Sequence, residues 1–436
     1  MSRGLGDVYK RQKANSSVVI LRPNYKNGLP EIGSLIAIYK TVEQMIDEGK
    51  VLAAATPGYG GVAEALFKMC VGNHVGLQLS NDIDLNSLFK PAYGAVILEL
   101  LDASAGEFLG FTTVDYTLEA EGSNIDLSRL QELWEAKLEP VFPYRKAGEF
   151  VPALEHDCPA NKRVAPAVRL ATPRVIIPVF PGTNCEYDMQ KAFENAGAEC
   201  DVFVVKNVSA SDVEFSVAEM GKRLSAAQIL AFPGGFSGGD EPDGSGKFIV
   251  NMFRNPSLRD AAEELLEKRD GLAIGICNGF QALIKLGLLP FGKIKALEEN
   301  APTLTFNNIG RHVSAISRVR VASNASAWLN RVKTGDVFSV PVSHGEGRFV
   351  CDSATLQRLR ENGQIFTQYV DLDGKPTMQS PFNPNGSVNA VEGIISPDGR
   401  VLGKMGHAER IGKGLYRNVA GNWDMGLFRS GVEYFK

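Results

Sequence analysis

No stretch of this sequence stays apolar for the roughly 20 residues that a membrane-crossing helix needs. Nor does any segment read as a signal peptide. Charge of neither sign is concentrated: 46 Lys and Arg stand against 50 Asp and Glu, spread over both halves without long runs. The basic footprint that holds a phosphate backbone is missing, which sets nucleic acid aside. Cysteine is sparse. Six are scattered through 436 residues and none forms a C-x-x-C pair, which argues against a disulfide framework or a structural zinc site and for a reducing cytoplasm. Histidine is scarcer still, with five residues, so each can be weighed as a base.

What remains is a soluble, enzyme-sized composition, 44% hydrophobic and 22% charged, able to bury a sizeable core in roughly two to three domains. Residues 1–15 are polar and aperiodic and are expected to be an extraneous or disordered tail. Residues 16–145 mix strand-like runs (SVVILRP, AYGAVILELLD) with helix-like ones (SLIAIYKTVEQMIDEGK, GVAEALFKMCVG), which predicts an α+β or α/β module. Residues 146–172 hold several prolines without a period and read as a linker. From 173 to 436 the alternation sharpens: RVIIPVF, CDVFVVK, ILAF and GLAIGI are strands, separated by helices such as EYDMQKAFENAG and SLRDAAEELLEKRDG. That order predicts a parallel central sheet with helices on both faces, and Ser396-Pro397-Asp398-Gly399 predicts a hairpin.

Gly275-Ile276-Cys277-Asn278-Gly279 lies between the strand GLAI and the helix FQALIKLG. It has the form of a nucleophile elbow, where small flanking residues permit a sharp turn. A cysteine there sits at a helix N-terminus, which favours its thiolate. Cys185, in VFPGTNCEYD, occupies a similar turn. Glu186 and Asp188 beside it would oppose a thiolate, so it reads as a structural turn residue.

A cysteine nucleophile needs a base, and the base an orienting group. Two H-x-E pairs qualify, His344-Gly345-Glu346 and His407-Ala408-Glu409, and local chemistry leaves the choice open. Phe232-Pro233-Gly234-Gly235-Phe236 ends a strand in glycines whose N–H groups can approach a ligand closely. With the N–H of Asn278, Gly235 is a candidate oxyanion hole. TPGYGGVAEAL also looks like a glycine loop before a helix, but it has no lysine and matches neither common nucleotide fingerprint.

The segments VFPGTNCEYD, FPGGFSGGDEPDGSGKFI, GICNGFQALIKLG, SHGEGRF, FNPNGSVNAVEGI and GKMGHAER together resemble the class I glutamine amidotransferases. They are most similar to the C-terminal portion of the phosphoribosylformylglycinamidine synthase family in its large single-chain form. Upstream, PNYKNGLPEIGSL and TPGYGGVAEALFKMCVG resemble the end of that family's synthetase, an aminoimidazole-ribonucleotide-synthase-like C-terminal domain. The resemblance implies a flavodoxin-like glutaminase domain with a Cys277, His407 and Glu409 triad, which resolves the tie between the two H-x-E pairs. It places Gln281, Phe236 and His344 at the substrate, His344 also being a possible interface residue.

Gly406 and Ala408 stand where related chains often have proline. The resemblance further implies a carbon–nitrogen ligase of purine biosynthesis with glutamine as substrate and the upstream synthetase region as partner. No cofactor is implied for the glutaminase domain; ATP and magnesium are implied for the complete synthetase. That synthetase is several times longer, so the chain is expected to be a fragment or a separately encoded tail. Two other readings fit the residues: a cysteine hydrolase or peptidase on the same scaffold, and a non-catalytic module that regulates a synthetase.

Overall fold

The computed structural model describes residues 13–102, 105–141, 152–160, 165–167, 169–237, 246–416, 419 and 421–436. Twelve residues of the expected tail, and part of the segment expected as a linker, lie outside them. The chain divides into two compact units: Met1–Pro143 with Lys413–Ala420, and Tyr144–Gly412 with Gly421–Lys436.

The first unit is built on a seven-stranded, mostly antiparallel sheet. Its order is Val51–Ala55, Val96–Leu100, Ser17–Leu21, Glu107–Thr113, Gly76–Leu79, Thr117–Ala120, Ser123–Asp126. Only Gly76–Leu79 and Thr117–Ala120 run parallel. The helix Gly61–Asn73 buries Val62, Ala65, Leu66 and Met69 at the spacing of one helical face, packing them against Ile20, Leu77 and Ile97. The helix Ile32–Asp47 buries only Met45, within a separate cluster containing Val19 and Leu98.

The second unit carries a nine-stranded sheet in the order Glu199–Val204, Arg174–Val179, Ile229–Phe232, Leu272–Ile276, Val401–Lys404, Val391–Ile395, Ile365–Tyr369, Val313–Val321, Val337–His344. The first five strands are parallel, and those from Val391–Ile395 onward are antiparallel. The parallel half is the one the sequence predicts, and the antiparallel extension makes the sheet mixed. The central parallel strands Ile229–Phe232, Leu272–Ile276 and Val401–Lys404 are nearly continuous apolar runs, as expected where both faces are covered. Ser396–Gly399 turns the hairpin as the sequence predicts: Ser396 N–H donates to Val401 O at 2.9 Å. Gly399 has φ +70°, and a Cβ there would come within 2.4 Å of Ala325 O.

From Arg174–Val179 the chain steps outward to the edge strand and then back across to Ile229–Phe232. Right-handed crossovers therefore put Glu186–Ala196 and Ala210–Ala226 on opposite faces. The reversal leaves a crevice beyond the carboxyl ends of these strands, the usual ligand position in such sheets. Described residues of the segment 146–172 are hydrogen-bonded to this unit: Leu154 N–H to Asn389 Oδ1 at 2.6 Å, Cys158 N–H to Ala322 O at 2.8 Å, and Leu170 N–H to Phe435 O at 2.7 Å. Among the described residues, no helix is long and apolar enough to cross a membrane.

Candidate active site

Four parallel strands deliver their following loops to that crevice. Arg174–Val179 leads to Cys185, Ile229–Phe232 to Gly234 and Gly235, Leu272–Ile276 to Cys277, and Val401–Lys404 to His407 and Glu409. Cys277 adopts φ +55° and ψ −107°, a region sparsely populated by residues with a Cβ, at a cost of order 1–3 kcal/mol. The neighbouring glycines make that turn possible. A Cβ on Gly275 would lie 2.6 Å from the Gly279 carbonyl, and one on Gly279 would lie 2.1 Å from Phe232 O. The Cys277 N–H donates to Lys404 O at 2.8 Å, tying the elbow to the adjacent strand.

His407 and Cys277 converge on Gly234, where a Cβ would lie 2.8 Å from His407 Cε1 and 3.4 Å from Cys277 Cβ, and His407 Nδ1 lies 2.6 Å from Glu409 Oε1. All three side chains are buried, Cys277 keeping 6% of its surface exposed. Burial alone would push the imidazole's pKa down. The Glu409 carboxylate, and hydrogen bonds with Cys185, Cys277 and Glu409, outweigh it and hold His407 well above the ordinary imidazole range. Glu409 is likewise opposed by burial, yet its charged partner His407 keeps it below the usual carboxylate value. The pair is an imidazolium beside a carboxylate. Three other thiols, Cys70, Cys200 and Cys351, are pushed up to about 12, chiefly by burial, and are poor nucleophiles.

The other H-x-E pair differs. His344 is buried and its Nδ1 lies 3.2 Å from Asn307 Oδ1. Burial, reinforced by the charge of His407, pushes it down to about 3, so it is neutral and too weak to act as a base. Its Nε2 has no hydrogen-bond partner among the described residues.

Gln281 is buried and fully engaged: its Nε2 donates to Glu346 O, and its Oε1 accepts from Asn278 Nδ2 at 3.0 Å. Asn278 Oδ1 accepts from Ser237 N–H at 3.3 Å, joining the elbow helix to the glycine loop. In that loop Phe236 N–H donates to Gly182 O at 2.8 Å and Gly234 O accepts from Asn184 N–H at 3.3 Å, so neither bond uses the Gly235 N–H. Gly235 has φ +136°, and a Cβ there would meet Gly182 O at 2.6 Å. Gly234 passes so close to the reactive groups that its Cβ would fall 2.8 Å from His407 Cε1. Phe236 is 42% exposed, its ring centroid 6.3 Å from that of His312. Residues 238–245 of the same glycine-rich segment lie outside the described residues.

Sequence reasoning missed Arg410 and misjudged the surroundings of Cys185. Arg410 Nη2 lies 3.0 Å from Cys185 Sγ, offsetting the acidic neighbours that the sequence emphasises, and Sγ lies 4.0 Å from His407 Nδ1. Cys185 is therefore a wall of the site. The signal was present in GHAER, whose arginine follows the triad glutamate directly. Cys185, His407 and Glu409 could offer three metal-ligand atoms within 4.8 Å of one another. The guanidinium on Sγ and the His407–Glu409 hydrogen bond both oppose a cation there.

Residues 172–435 match the family model of the CobB/CobQ-like glutamine amidotransferase domain. The chain is 36% identical over 245 residues to phosphoribosylformylglycinamidine synthase subunit PurQ of Methanococcus maripaludis, an alignment covering 55% of this chain and 82% of that one. It is 34% identical over 239 residues to the subunit of the same name from Aquifex aeolicus, covering 54% and 90%. Among solved structures, PurLQS from Thermotoga maritima aligns with 25% identity and a TM-score of 0.44, covering 61% of this chain and 100% of that chain.

Proposed function

The chain belongs to the CobB/CobQ-like glutamine amidotransferase family, and from that premise we propose that Cys277, His407 and Glu409 perform its glutamine hydrolysis. The chain is the glutamine-hydrolysing part of phosphoribosylformylglycinamidine synthase, a carbon–nitrogen ligase of purine biosynthesis with glutamine as amide donor. The observation that carries the site assignment is the convergence of His407 and Cys277 on Gly234, with His407 Nδ1 on Glu409.

The Cys277 thiolate attacks the side-chain carboxamide of glutamine. The N–H groups of Gly235 and Asn278 hold the oxyanion as it forms, an effect typically worth about 10²–10³ in rate per donor. The His407 imidazolium then protonates the departing ammonia, leaving a glutamyl thioester on Cys277. Neutral His407, oriented by Glu409, takes a proton from the water that attacks the thioester; the C–S bond breaks, glutamate leaves, and the thiolate and imidazolium are restored. His344, neutral and with Nε2 unpaired, and the ring of Phe236 line the substrate's approach, while Gln281 fixes the elbow helix beneath it.

Ammonia would then pass to formylglycinamide ribonucleotide in the synthetase region, the partner of this unit, where ATP and magnesium would supply the activation of its amide. Residues 16–145 are assigned as an aminoimidazole-ribonucleotide-synthase-like C-terminal domain of that region, joined through 146–172 to an amidotransferase domain at 173–436. The glycine loop before Gly61–Asn73 does not fit a nucleotide phosphate. Glu64 Oε2 already accepts the Gly60 N–H at 2.8 Å, placing a carboxylate where a phosphate would bind. No ATP step is derived from this chain. All six cysteines are free of disulfides, in keeping with a cytoplasmic location.

Glutamate release from glutamine tests the assignment. Cys277→Ala is expected to abolish release and to form no radiolabelled glutamyl enzyme from labelled glutamine. Turnover at the wild-type rate in that variant would overturn it.

A further inference from the structure

Lys404 and Glu392 are both fully buried and lie 3.0 Å apart. Such a pair brings little net stability, because desolvating two charges offsets most of their attraction. Here both charges are directed at one residue. Lys404 Nζ donates to Gly406 O at 2.9 Å, and Glu392 Oε1 accepts the Gly406 N–H at 2.7 Å. The other Glu392 oxygen accepts the Thr367 hydroxyl.

Gly406 directly precedes His407, whose own N–H donates to Pro341 O at 2.9 Å. The main-chain carbonyl of Lys404 is also the acceptor of the Cys277 N–H at 2.8 Å. One residue thus holds the nucleophile through its backbone and the base-bearing loop through its side chain. Glycine is what lets the charges close in. A Cβ on Gly406 would sit 2.6 Å from Val340 Cγ2, 3.0 Å from Glu392 Oε1 and 3.1 Å from Lys404 Nζ.

We propose that Lys404 and Glu392 are positioning residues for glutamine hydrolysis, clamping Gly406 by its N–H and its carbonyl so that His407 is held on Cys277. The inference rests on the glutaminase reading above. Apolar residues of similar volume would preserve the strand but leave both polar groups of Gly406 without partners. The loop could then drift, and a misplacement of about 1 Å can cost about 100-fold in rate.

The test uses the full chain, as wild type, Lys404→Met, and the double variant Lys404→Met with Glu392→Gln. Lys404→Met strands a buried carboxylate, so both the melting temperature and kcat are expected to fall. The double variant removes that charge and should recover most of the melting temperature, yet the Gly406 carbonyl still lacks its ammonium donor. Its kcat is expected to stay about 10- to 100-fold below wild type, with KM within about twofold. The rate of Cys277 alkylation by iodoacetamide at fixed neutral pH, read on its own peptide without glutamine, should also stay below wild type, because a displaced His407 no longer assists the thiol.

Recovery of kcat and of the alkylation rate together with the melting temperature would make the pair a stability device and overturn the proposal. Wild-type protein without turnover would count against the glutaminase reading alone, since alkylation still decides the clamp.

Discussion

At 407–409 the imidazole meets its own downstream carboxylate, with Nδ1 2.6 Å from Glu409 Oε1; at 344–346 the imidazole meets the amide oxygen of Asn307 at 3.2 Å. The spacing is identical and the outcome opposite. His344 ends one strand and Glu346 opens another, their strands pairing with Val313 and Phe306 respectively. His407 and Glu409 lie in a compact turn, with Arg410 N–H on His407 O at 3.3 Å and Ile411 N–H on Glu409 O at 2.9 Å. Buried against a neutral amide, an imidazole loses its proton; buried against a carboxylate, it keeps one. The charge on His407 also helps to keep His344 neutral.

The largest effect that would break this contrast is on turnover. His407→Ala should lower kcat for glutamate release by about 10²–10⁴-fold, the usual worth of a general acid and base. An equal loss in His344→Ala would erase the distinction.

Glu409→Gln should come next, with a smaller fall in kcat and a displaced pH profile. Without the carboxylate the imidazolium gives up its proton at lower pH, so the alkaline limb of kcat/KM should move toward acid. The same pair sets a stability window. The contribution of His407, raised in the folded state, is whole below its unfolded value and lost as pH rises through the folded one. That of Glu409, lowered in the folded state, is whole above its unfolded value and lost as pH falls through the folded one. Both are whole between about pH 4.3 and 6.5, and denaturant unfolding across that window should lose its maximum in the variant. An unmoved limb would assign the raised value of His407 to something other than Glu409.

The smallest effect belongs to His344→Ala. Loss of a single neutral hydrogen-bonding group should raise KM by up to about tenfold, leaving kcat nearly unchanged.

The parallel half of the second unit was legible because its strands are short and mostly apolar, and four of the five, all but Glu199–Val204, run into a glycine within three residues. The elbow was legible for the same reason: Gly275 and Gly279 are small where backbone would otherwise clash. The antiparallel extension through 313–321, 337–344 and 365–369 was not read, because these strands mix polar and apolar residues at buried positions, among them Arg320, Ser339 and Thr367. Nor could local spacing choose between the two H-x-E pairs, since the deciding partner of His344 is Asn307, distant in sequence. Lys404 was equally hidden. A lysine closing an apolar strand looks solvent-facing until Glu392 and Gly406 are seen to enclose it.

The most direct measurement is a pH titration of the imidazole nitrogens by NMR in ¹⁵N-histidine-labelled protein, with His407→Ala and His344→Ala used for assignment. His407 should be an imidazolium at neutral pH and deprotonate only above the ordinary imidazole range, while His344 stays neutral down to about pH 3. A neutral His407 at pH 7 beside a charged His344 would contradict the assignment of acid and base.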